Sequence, residues 1–219
     1  MPNTPAAPAN PVVTTLYEIF LAGEYAAVER LTAESAMAPT TADRVALMAM
    51  TGSEIEHFGV LAAQIEGAGR DVAAAVDEHI DVFHRYHRVT DPSTWLEVLV
   101  KMYIGDGMSA DFFAEMVDRL PVEAHDVFHE VMASTASSDW ACDQVRAAVA
   151  ADPRVAAPLT LWARRLLGEA ITHVQWVLAE DPNVTDLLFS GTGSLTDVAG
   201  FFDSIAQRHG ERMRALGLA

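Results

Sequence analysis

Among 219 residues the chain has a single cysteine, Cys142, and a single lysine, Lys101. A lone thiol excludes an internal disulfide and a thiolate metal cluster. Cations are scarce altogether: 14 Lys and Arg stand against 31 Asp and Glu, a net charge of −17 with a pI near 4.6. Such a surface repels phosphate backbones and anionic headgroups, so nucleic-acid and membrane partners are disfavoured. There is no apolar run of 18 residues, and no transmembrane helix is expected. The opening stretch has neither a basic nor an apolar region of the secretory kind. Residues 1–12 therefore read as a flexible arm, with the cytoplasm as the default location. Period-two alternation is missing too, which argues against strands. The glycine-rich stretch Gly191-Thr192-Gly193-Ser194 lacks the lysine and the strand of a phosphate loop.

What is present is alanine, within a hydrophobic content of 51%. Glycine and proline gather at a few breaks, near Pro39, Gly67 to Gly69, Pro92, Pro121, Pro153, Pro182 and Gly191 to Gly193. They predict an all-α protein with helices over about 12–37, 41–66, 93–119, 122–150, 155–180 and 195–216. Residues 13–219 form one helical domain in this reading, a bundle over 13–150 with extra helices over 155–217. The stretch 70–90 reads as a long connection. Its His79, His84 and His87 are expected to be solvated.

Two of these helices carry ionisable groups where apolar ones belong. Tyr17, Leu21, Glu24, Val28 and Leu31 follow alternating spacings of three and four, as do Leu47, Met50, Glu54, His57, Leu61 and Gln64. That is the inward stripe of a bundle helix. A bare buried carboxylate costs several kcal/mol, roughly, unless something positive shares it. A metal ion between the helices is the simplest answer. The i, i+3 spacing of Glu54 and His57 puts both ligands on one helix face, and carboxylate with imidazole suits a first-row metal. A weak internal repeat adds a fourth candidate, since Gly23-Glu24 is echoed by Gly105-Asp106, with Asp106 in the stripe of its own helix. Glu24 and Glu54 stand equally far from the break at Pro39, and Asp106 equally far from Pro121. The depths match, and the connection over 67–92 becomes the crossover between two hairpins.

Gly23-Glu24-x-x-Ala27 and Glu54-x-Glu56-His57 resemble the helix pair of rubrerythrin-type di-iron proteins. The whole length is more similar to the actinobacterial ferritin-fold proteins grouped with tRNA isopentenyladenosine hydroxylases, and Leu161 to Leu166 with Gly168-Glu169-Ala170 share in that similarity. The resemblance implies a ferritin-like antiparallel four-helix bundle with two additional C-terminal helices. It also implies one or two iron or manganese ions at Glu24, Glu54, His57 and Asp106, and O₂-dependent oxidation or hydroxylation of a small or nucleoside-like substrate. Tyr25 and Tyr103 are candidates to orient the ligands. Only the resemblance points to tRNA, and the charge opposes it. A homodimer is compatible with the sequence.

The family pattern wants a second Glu- or Asp-x-x-His in the fourth helix. Ser134, Thr135, Ala136 and Ser137 stand at that depth instead, and serine is a poor ligand. Asp126-x-x-His129 lies about 12 Å nearer the turn and on another face. Glu169 and His173 form a further candidate pair from the fifth helix, with a polar contact beneath Trp162 and Trp176 as their plainer role. Arg164 and Arg165 read as an anion site or as an ordinary polar face, and the methionines as core filler. Glu56 is expected in solvent, and Glu29 is expected to pair with Arg30 or Arg44. If the second half-site is lost, the chain becomes a non-catalytic metal-binding or interaction module, metal-free where the whole site is degenerate.

Overall fold

The computed structural model describes residues 10–116, 120, 122–132, 136–180, 185, 186, 189 and 195–218. Among them there are helices and no strand: α1 (Pro11–Glu34), α2 (Thr41–Gly67), α3 (Val72–Val89), α4 (Trp95–Met116), α5 (Val122–Met132), α6 (Ala136–Ala151), α7 (Ala156–Glu180) and α8 (Leu195–Ala215). The fold is all-α and ferritin-like. No helix of the described residues is long and apolar enough to cross a membrane.

Helix ends follow local chemistry. Asn10 caps α1 through a bond from Val12 N, with Pro11 at the first helical position. The helix thus starts inside the segment read as an arm, of which residues 1–9 lie outside the described residues. The cap of α2 is Thr40, in a capping box with Asp43. Gly69, at φ +74°, closes α2: Gly69 N donates to Glu66 O and Arg70 N to Ile65 O. Only glycine adopts that conformation without strain. Gly69→Ala should therefore lower stability by about 1 kcal/mol, read as a shifted denaturant midpoint at unchanged slope.

The connection predicted over 70–90 is a helix, and this corrects the sequence reading. Asp71 caps it through Ala74 N. Its inward stripe runs Ala75, Val76, His79, Ile80, Phe83, Tyr86 and His87, and three of those seven side chains are polar enough to resemble a loop. It lies parallel to α1, pairing His79 with Glu18 and His84 with Glu29, and Phe83 fits against Gly23. The segment predicted as one helix over 122–150 contains two, α5 and α6.

Two apolar clusters make the core. One joins Leu16, Leu21, Leu61, Ile65, Val76, Phe128 and Phe201 at one end of the α1–α2 hairpin. The other joins Leu31, Leu47 and Met50 to Leu99 and Ile104 of α4, Val145 of α6 and Leu166 of α7. Helix α4 packs mainly on α6, α7 and α8. Asp111 of α4, nearly sealed from solvent, holds Arg212 of α8 at 2.5 Å and Arg208 at 3.5 Å. Removing one partner of a buried pair strands the other, so Asp111→Ala should cost about 3 kcal/mol in a denaturation experiment.

Candidate metal centre

The waist between the two clusters is polar. On α1, Glu24 lies between Leu21 of one cluster and Leu31 of the other. On α2, Glu54 and His57 lie between Met50 and Leu61. The antiparallel hairpin brings all three to one level, as their distances from Pro39 predict. One carboxylate oxygen from each glutamate and one ring nitrogen lie within 4.8 Å of one another. His57 Nδ1 is 3.7 Å from Glu24 Oε2 and 3.7 Å from Glu54 Oε2. That is too long for a close hydrogen bond. It suits two donors that share an ion at about 2.1 Å each.

The protonation of the group fits the same purpose. Burial pushes the Glu24 carboxyl up to about 8, with the neighbouring Glu54 adding to the rise against the pull of His57. Burial would raise Glu54 as well, but His57, Glu24 and the Arg30 charge outweigh it, and its net shift is downward. Glu24 first and Glu54 second hold the His57 imidazolium up to about 10, against the effect of burial. At neutral pH the centre therefore carries two protons, one on Glu24 and one on the ring, where a dication would bring two charges. Glu24 Oε2 is sealed from water and has no hydrogen-bond partner. An orphaned buried oxygen beside a carboxylate and an imidazole is the donor set that a hard first-row ion fits.

A family model described as a ferritin-like domain of actinomycetes matches residues 8–191. The chain belongs to that family. A search of curated proteins finds no match. The match covers α1 to α7 and includes Glu24, Glu54 and His57.

Of the four residues expected to ligate, the fold brings together Glu24, Glu54 and His57, and Asp106 is not in their group. Asp106 is half-buried on α4, and the neighbour that α1 takes beside α2 is α3. The helix misread as a connection fills the place assumed for the second hairpin. Asp126 and His129 are exposed on α5. Ser134 and Thr135 lie outside the described residues, as does the side chain of Ser137. His173 is buried on α7, its Nδ1 against Glu169 O and its ring against Trp176, as expected, and against Tyr86 of α3, which was not. Neither Tyr25 nor Tyr103 is at the ligands: Tyr25 faces Phe58 and Glu29, and Tyr103 stands by Cys142. Glu29 pairs with His84 at 2.8 Å rather than with an arginine, and Arg30 takes Glu34 at 2.8 Å. His87 is not solvated; burial holds its ring neutral.

Several buried polar groups were not anticipated, Glu18 and Lys101 among them. Glu18, on α1, meets Arg70 at 2.7 Å and His79 at 3.7 Å, and Arg70 also bonds Glu78. The guanidinium already supplies the positive charge there. The only lysine is the second case: Lys101 donates to Thr90 O at 2.8 Å and faces Glu34 at 3.6 Å. Burial pulls its ammonium down to about 8. A signal existed in both cases, because Glu18 adjoins the inward stripe of α1 and Lys101 interrupts the run Val98-Leu99-Val100.

Proposed function

We propose that this ferritin-like domain holds a first-row divalent ion, iron or manganese, at Glu24, Glu54 and His57, and uses it with O₂ to oxidise or hydroxylate a small or nucleoside-like substrate. The observation that carries the metal reading is the convergence of three ligand atoms around an orphaned buried oxygen at the polar waist. A bound ferrous ion would supply the binding and reduction of O₂. The chain's own residues hold the ion and exchange two protons for it. The Arg30 charge helps Glu54 to stay ionised, and the flanking leucines keep water from the hairpin interior. The oxidase reading rests on family resemblance. The charge of −17 argues against tRNA as the substrate.

A groove of about 600 Å³ lies between α2 and α3, lined by Tyr25, Phe58, Val76, Ile80, Arg70 and His84 among others. None of the three ligands lines it. That favours the second reading, a non-catalytic metal-binding or interaction module. Metal content per chain by elemental analysis, after anaerobic ferrous loading and desalting, separates the outcomes. Two ions mean that further ligands complete a di-iron site, and one supports the hairpin centre. Finding none removes the metal reading.

A further inference from the structure

Helix α2 has a second face that no described residue covers. Val45, Met48 and Ile55 are 59%, 72% and 55% exposed, three of the seven large apolar side chains left in solvent among the described residues. They stand with Gly52 and Gly59 on one side of the helix, opposite Leu47, Leu61 and Ile65. A Cβ added at Gly52 or Gly59 would meet nothing within 4 Å, so both are open to the surface. Between Arg44 and Glu56 this face carries no charge, in a chain of net charge −17.

We propose that this face joins two copies of the chain, with the two α2 helices antiparallel about a two-fold axis at the level of Met50. The pattern is self-complementary in that register. Met48 of one copy falls level with Gly52 of the other, a long side chain beside a gap. Val45 falls level with Ile55, Thr41 with Gly59, and the one cation, Arg44, with the anion Glu56. A two-fold contact needs this property, because each residue i that meets j must find j meeting i. The register selects the occupant, because a copy supplies at each level of this face the residue that complements it. This apolar stripe, about 27 Å long from Thr41 to Gly59, is where two acidic chains meet with least repulsion.

Sedimentation velocity on the full chain at micromolar concentrations tests it. The wild type should run at twice the chain mass of 23.7 kDa. Met48→Glu and Ile55→Arg should each run at the single mass with an unchanged far-ultraviolet spectrum, since both positions are solvent-facing. Leu161→Glu, at an exposed apolar residue of α7, should leave the pair intact. A wild type at the single mass overturns the proposal. So does a dimer that survives both α2 substitutions or that Leu161→Glu dissociates.

Discussion

A His57→Ala protein should bind ferrous or manganous ion more than about 100-fold more weakly than the wild type, because even outer-shell partners of a ligand are worth 10–100-fold. The substitution removes the one nitrogen donor, which stands 3.7 Å from both carboxylates. The remaining pair then suffers from proximity alone: two buried carboxylates without a cation share a proton instead of an ion. Helicity should hold, since the ring lies at the polar waist and not in either apolar cluster. Metal uptake at the wild-type level would eliminate the centre. Asp106→Ala is the companion measurement. Unchanged uptake means that the hairpin alone builds the site, and a loss returns α4 to it.

The hairpin was legible because its signals are local. Stripe spacing, the Pro39 break and the Glu54–His57 interval all lie within 48 residues, from Tyr17 to Gln64, and short-range periodicity fixes which faces meet. Depth counted from a turn holds only if the next helix in sequence is also the next in space. That failed at α3. His79, Tyr86 and His87 are half-buried in its inward stripe, and their polarity hid a helix whose partners are themselves polar, Glu18 on one side and His173 on the other. With α3 beside α1, the symmetry between Gly23-Glu24 and Gly105-Asp106 carries a different meaning. Gly23 makes room for Phe83, whereas a Cβ added at Gly105 would meet nothing within 4 Å, so only the first glycine of the pair serves helix packing. Such pairings are long-range, and no spacing along the chain encodes them.

The apoprotein should lose stability between pH 6 and pH 9, and the metal-loaded protein should hold it. Folding raises Glu24 from 4.5 to about 8. Through that window the folded chain keeps a proton that the unfolded chain has released, so stability falls as pH rises. His57, raised from 6.5 to about 10, contributes in full below 6.5 and loses its contribution toward 10. Glu54 shifts downward, so its contribution is lost only in acid and does not offset the other two above pH 6. A metal ion must displace both protons. Its affinity should therefore climb about a hundredfold per pH unit below 8 and about tenfold per unit from 8 to 10, as two and then one proton are released. Melting temperatures of apo and loaded protein should separate progressively as pH rises across this range. Calorimetric titration in buffers of different ionisation enthalpy should count two protons per ion at pH 7. Glu24→Gln is the control, because the amide mimics the protonated acid and removes one of the two titrations. Its apo profile should flatten. An apoprotein that grows more stable from pH 6 to 9, or a metal affinity indifferent to pH, would mean that these three groups do not titrate as one centre.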